Sequence, residues 1–466
     1  MKKIIALLLC CVFVFSCVSC ATEMEETIPE YIGEIVGDLD LDEKTFVFGV
    51  VADYFFEGED NTLSYINNTE FGDLAMERIR SVEKTHNCSI EFQYVPRAGE
   101  AAYKDVYAND YTFDVIQEES YWLVSYIPMG IFVDLTTLDH IDVTDEEKWG
   151  NRELLLSTMW KGAVYGVIPA KHPLRMQNSV AGIIGINETH VQSIGEVDPR
   201  DYYENGEWSW DTFTRVLNDY TLTSLGGDKI YAFACDDNRF PRSVAFSNGD
   251  KYITINEDGT YQHGLYTPTT LEALNQYYEW ITGPTADNIL FQQGLPALID
   301  GNAVLGNLDA WEVLANTDSL AYNLENFGLV PYPHGPEAEP GWYQTYNEST
   351  DFTLCIPVTS PDPEATAFVL DKIYEPFEGY ETRDDIIDYL YANYFLDKRD
   401  AVFFYDIANA EHTYFFPTMD GMFDVWTYFP TSRPTEALEK AENVQFSGIE
   451  EHILPRLETI PAVYGE

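Results

Sequence analysis

"TFVFGVVAD", Thr45 to Asp53, is a near-continuous apolar run of strand length that closes on an acid. Such a run lacks the polar alternation of a half-exposed strand and suits one covered on both faces, as in parallel sheets. Downstream, Thr69 can cap a helix on which Phe71, Leu74, Met76, Ile79 and Val82 form an apolar stripe. "CSIEFQYV", Cys88 to Val95, alternates as a second strand, and "FDVIQ", Phe113 to Gln117, reads as a third. Strand, helix and strand at this spacing predict a right-handed parallel unit.

The same grammar recurs further along. Ser209 precedes "WDTFTRVLNDY", where Trp210, Phe213, Val216, Leu217 and Tyr220 fall three or four apart, and Asp362-Pro363-Glu364 opens a helix with Ala365, Phe368, Val369 and Ile373 inside. Short strand candidates lie at Ile230 to Ala234, Ala303 to Leu305, Phe327 to Val330 and Phe352 to Ile356. The class is α/β with two sheets, and 466 residues exceed what one ordinary core holds, so two lobes are expected.

At the amino end, Lys2 and Lys3 precede an uncharged run from Ile4 to Val18. It is shorter than the roughly 20 apolar residues of a membrane span, so it reads as an export signal, residues 1–19. Ser19 before Cys20 resembles a bacterial lipobox, which makes Cys20 the expected lipid-bearing residue; Cys17 after Ser16 is the alternative, and an ordinary secretory signal is the plainer one. Residues 20–44 are acidic with scattered apolar positions and read as a tether from the membrane's outer face. Cys88, Cys235 and Cys355 form no CxxC pair and have no histidines at metal spacing, so they are expected to be buried, with no disulfide framework, metal or other cofactor.

Charge narrows the partners. Against 26 Lys and Arg stand 79 Asp and Glu, a net charge of -53, the wrong sign for nucleic acid and unfavourable for anionic ligands. Neutral or cationic ligands remain. The 15% aromatic content excludes a disordered acidic chain.

Six segments in order carry a family resemblance: "MWKGAVYGVI" (Met159 to Ile168), "GIIGINETHV" (Gly182 to Val191), "GEWSWDTF" (Gly206 to Phe213), "DGNAVLGNLDAW" (Asp300 to Trp311), "FGLVPYPHGP" (Phe327 to Pro336) and "CIPVTSPDPEATAFVLDKI" (Cys355 to Ile373). Together they resemble extracellular solute-binding proteins of carbohydrate ABC transporters, the maltose-binding-protein type. The resemblance implies a monomeric two-lobe clamp, crossed by hinge strands, that closes on a sugar and hands it to a membrane permease. By this resemblance residues 45–174 and 331–378 form one lobe, and residues 175–330 with 379–466 the other.

Sugars present an apolar face that lies on an aromatic ring while their hydroxyls reach amides and carboxylates. Loops leaving strand ends are where such groups are sought. In the first lobe these are Asp53 and Tyr54, with Phe55 beside them, and Glu118, Glu119, Tyr121 and Trp122 in "EESYWL". In the second they are Asp309 and Trp311; Trp342 and Tyr343 in "GWYQTY" and Trp426 in "DGMFDVW" complete the set. Trp160 and Trp210 are assigned to packing. The rival from another class is a lipid-anchored glycosidase, which needs two carboxylates across a scissile bond. No GxSxG, HExxH or GxxxxGK[ST] motif occurs, and no catalytic residue is expected. A sensor presenting bound sugar to a membrane kinase would share the fold.

Overall fold

The computed structural model describes residues 39–440 except 59, 66, 150–154, 156–157, 170–179, 251–252, 256–260, 265–266, 315–316, 339–344, 348–350, 409–412 and 415–431. The opening run forms β1 (Lys44–Val50). Helix α1 (Glu70–His86) follows, with the Thr69 hydroxyl accepting from the Gly72 amide as predicted and Asn87 closing it in the left-handed region. Next come β2 (Cys88–Tyr94), α2 (Ala98–Ala108), β3 (Val115–Glu119) and α3 (Ser120–Tyr126). β2 and β3 pair in parallel with opposite edges of β1, as the strand-helix-strand spacing required. The stripe of α1, from Phe71 to Val82, is buried against this sheet.

The folded body begins before Thr45, where order had been expected to start. Leu41 is buried and its amide donates to His86 O, while the Asn87 side chain donates to Asp40. Apolar residues scattered without a period among acids do not mark which of them is buried, which is why the sequence does not reveal it.

The second sheet is built around β4 (Val180–Asn187), buried at every position. Then follow α4 (Trp210–Asp219), β5 (Lys229–Cys235), α5 (Arg239–Ser247), α6 (Pro268–Thr282), β6 (Ile289–Phe291), α7 (Gly294–Ile299), β7 (Ala303–Asp309) and α8 (Ala310–Leu314). Ser209 caps α4 through the Thr212 amide. β5 lies in parallel between β6 and β7, and β7 pairs antiparallel with β4. On its other edge β4 pairs antiparallel with both β8 (Phe327–Pro331) and β9 (Thr345–Asn347). Helix α7 lies directly on β7: a side chain at Gly294 would place its Cβ 2.1 Å from Asn307 O, so glycine alone allows that approach.

The chain then returns to the first sheet, where β10 (Phe352–Cys355) pairs antiparallel with β3. Val167 and Leu354 exchange backbone hydrogen bonds beside it. Helix α9 (Pro363–Ile373), capped by Asp362, packs on α1. Helices α10 (Arg383–Asn393) and α11 (Lys398–Ala408) pack on each other; Tyr389 of α10 meets Phe71 of α1, and α11 goes back to the second sheet, where it packs on β8. Among the described residues the chain therefore passes between the two sheets three times, between residues 167 and 180, between 347 and 352, and after α9.

A buried ionic knot fixes α11. Asp400, 0% exposed, lies 2.6 Å from Arg200 Nη1 and accepts from the Leu329 amide at 2.8 Å. Arg200 also pairs with Glu188 and, at 2.6 Å, with Asp198. Removing one member of such a knot leaves the others desolvated. Asp400→Ala is expected to lower unfolding free energy by about 3 kcal/mol in urea titrations with an unchanged slope. A loss below about 1 kcal/mol, the range of a surface pair, would show that the knot does not hold the helix.

Candidate functional site

The three parallel strands of the first sheet end on one side, and their trailing loops bring the predicted first-lobe residues together. After β1, Asp53–Phe55 forms a short turn whose Phe55 is buried edge-on against Phe352, with ring centroids 5.7 Å apart. That anchor leaves Asp53 and Tyr54 exposed. The Tyr54 hydroxyl is pushed up to about 12 by burial, with the charges of Glu119 and Asp53 adding to it. After β3, burial pushes the Glu119 carboxyl up, while the neighbouring Tyr121 and Trp122 side chains at the start of α3 pull it back. The Tyr121 and Trp122 ring centroids lie 4.6 Å apart.

Two features here were not read from the sequence. Arg97, which ends the loop after β2, lays its guanidinium 3.8 Å from the Trp122 ring centroid. Its one signal in the sequence is position, at a strand's carboxyl end, since it is neither ring nor acid. Glu118, expected with Glu119 to accept from the ligand, is 2% exposed. Its carboxylate instead accepts from the Gly99 amide at 3.1 Å and the Glu119 amide at 3.2 Å, tying the start of α2 to the end of β3. Gly99 permits this closeness, since a Cβ there would lie 3.0 Å from the Tyr126 ring and 3.6 Å from Glu118 Cγ.

In the second sheet the carboxyl ends of β5 and β7 meet in the same manner. β7 runs to Asp309, four residues past the predicted end, so Asp309 sits at the strand's last position. It is 1% exposed and its Oδ2 lies 2.7 Å from Arg239 Nη2. Arg239, at the start of α5, also pairs with Glu312 at 2.8 Å and Asp236 at 3.5 Å, and Glu312 accepts from the Asp309 amide. Trp311 is half-buried beside this cluster on α8. Trp342, Tyr343 and Trp426 lie outside the described residues. Of the two tryptophans assigned to packing, Trp210 is buried and Trp160 is half-buried against the first-sheet core.

The arrangement offers rings, carboxylates and guanidiniums but no nucleophile with a base. Among the described residues no group of three or more His, Cys, Asp or Glu could hold a metal ion. Among the described residues, Cys88, Cys235 and Cys355 are buried and free.

Burial pushes the Glu118 carboxyl up to about 7, although the Gly99 and Glu119 amides pull the other way. A raised carboxyl means that the folded state binds the proton more tightly than the unfolded chain. The contribution therefore favours folding in acid and is lost as pH rises toward and through 7. Glu118→Gln is expected to gain stability relative to the parent between pH 5 and pH 8, on the order of 3 kcal/mol. The check is chemical denaturation of both proteins at each pH. A difference that does not vary with pH would mean that Glu118 is ionised throughout.

A family model described as bacterial extracellular solute-binding protein matches residues 77–372. Among solved structures, the fold is similar to that of an ABC substrate-binding protein from Listeria monocytogenes in complex with cycloalternan, with 14% identity over 87% of this chain and 99% of that one and a TM-score of 0.54. It is also similar to the GacH receptor of Streptomyces glaucescens, solved unliganded and with acarbose, at 12% identity over 88% and 99% of the chains and a TM-score of 0.56. A cyclo/maltodextrin-binding protein complexed with maltotetraose aligns at 14% identity over 90% and 99% of the chains, with a TM-score of 0.58. No curated protein matches the chain. No helix of the described residues is long and apolar enough to cross a membrane. The two sheets, their crossings and the matched segment together make this chain a member of the bacterial extracellular solute-binding protein family, with the two-lobe α/β fold of maltose-binding-like proteins.

Proposed function

We propose that this protein is the lipid-anchored receptor of an ABC importer, capturing a neutral sugar or oligosaccharide between its lobes and passing it to a membrane permease. The observation that carries the reading is the first-lobe cluster, where Trp122, Tyr121 and Tyr54 surround Glu119 at the carboxyl ends of β1 and β3. Rings take the C–H face of a pyranose, Glu119 accepts from a hydroxyl, and Arg97 donates to its neighbour. Structural relatives were solved with maltotetraose, mannotriose and acarbose, which agrees with a carbohydrate.

The second lobe contributes Trp311 as the opposing ring, positioned by the Asp309–Arg239–Glu312 cluster. Trp342, Tyr343 and Trp426 are proposed as further rings. Closure follows because a ligand touching both lobes favours the closed state, and no catalytic group is required. Residues 45–174 with 331–378 and residues 175–330 with 379–466 are the proposed lobes, and Cys20 the lipid-bearing residue.

The test is thermal unfolding of the chain from Glu23 onward with mono- and oligosaccharides, with peptides and polyamines as controls and each mixture assayed for hydrolysis. A sugar at about 100 times its Kd adds about 2.7 kcal/mol of stability. The expected result is a raised midpoint with a sugar, no cleavage, and a Kd weakened roughly tenfold by Trp122→Ala. Cleavage, or a shift with peptides or polyamines alone, would contradict the reading.

A further inference from the structure

We infer that the ligand is an extended neutral oligosaccharide, whose outer units leave the cleft and run over a ladder of tyrosines on the outside of the first lobe. This rests on the sugar-binding reading above and goes beyond it in naming a second subsite. Trp122 and Tyr126 are four residues apart on α3, and Tyr103 and Tyr107 are four apart on α2, so each pair shares a helix face. The two pairs abut. Tyr126 and Tyr103 have ring centroids 6.1 Å apart, and Tyr103 and Tyr107 4.6 Å apart.

The direction of the ladder follows from the fold. Helix α2 starts at the carboxyl end of β2, where Arg97 covers one face of Trp122, and returns toward the start of β3. The row thus begins at the strand ends that carry the site and descends away from them. Exposure increases along it, from half-buried Tyr126 and Tyr103 to Tyr107 at 68%. A large ring that exposed is not explained by core packing, since its only ring contact among the described residues is Tyr103.

The chemistry of the row selects its occupant. Every member pairs a ring with a polar atom, and Tyr103 and Tyr126 are seated on the first-lobe core beneath them. Beside it, Glu100 and Lys104 neutralise one another at 2.6 Å and remain exposed. A surface of rings with wet edges fits sugar units, which present C–H faces and hydroxyl rims, better than the dry apolar centre of a protein contact. The excess of acids over the whole chain disfavours a polyanionic glycan. Continuity with the Trp122 cluster makes the occupant the same chain that enters the cleft.

The experiment compares disaccharide and hexasaccharide affinities for the parent protein and for Tyr107→Ala, using maltooligosaccharides and mannooligosaccharides in calorimetric titration. Tyr107 is a surface residue, and an unchanged melting midpoint verifies the fold of the variant. The expected result is that the parent prefers the hexasaccharide, and that Tyr107→Ala loses roughly fivefold in hexasaccharide affinity while disaccharide affinity is unchanged. Affinity independent of length, or a hexasaccharide affinity untouched by Tyr107→Ala, would overturn the ladder and leave the sugar receptor standing. Binding of neither series, with binding of a peptide instead, would overturn both.

Discussion

A sheet covered by helices on both faces has only its strand ends left open to solvent. That constraint governs this molecule. β1 is flanked by parallel neighbours whose crossover helices lie on the sheet, and β4 is buried at every position. Chemistry is therefore confined to the loops that leave the carboxyl ends of the strands, and both sheets place their charged and aromatic groups there. The pattern is similar in each: a cation at the start of the helix after one strand (Arg97, Arg239) reaches residues at the carboxyl end of another parallel strand of the same sheet.

The two clusters use their cations differently. In the second sheet Arg239 is held by three carboxylates, so the guanidinium is fixed in place and its charge is more than matched. In the first sheet Arg97 is exposed and stacked on Trp122, leaving guanidinium donors available at the edge of the ring. A chain with three acids for each base ordinarily pairs its arginines, as Arg80, Arg200, Arg383 and Arg399 are paired. Buried Glu118 beneath supports that platform by joining α2 to β3. Rigidity on one side and accessible groups on the other suit a clamp, in which ordering costs are reduced before the ligand arrives.

Much of the fold was legible because its signals are local. The β1–α1–β2 unit follows from one apolar run, one cap at Thr69 and one stripe of apolar residues, and the helix starts at Ser209 and Asp362 from the same rules. What remained hidden had no period. β4 is apolar on both faces and reads as part of a motif rather than as a strand, although it is the centre of the second sheet. Among site residues, Tyr54, Glu119, Tyr121 and Trp122 come together around one carboxylate, because strand-end position is readable. Glu118 and Asp309 are buried in local networks instead, since a carboxylate's direction depends on which amide or guanidinium it meets, and partners such as Gly99 and Arg239 are distant in sequence.

In the proposed clamp the strand-end clusters of the two sheets face a single ligand. Hydrogen exchange with and without a saturating sugar measures this directly, because amides ordered by ligand contact slow selectively. Protection at both residues 53–55 with 118–126 and residues 309–312 is the predicted result. Protection confined to one of these regions, at a sugar concentration that saturates binding, would contradict it.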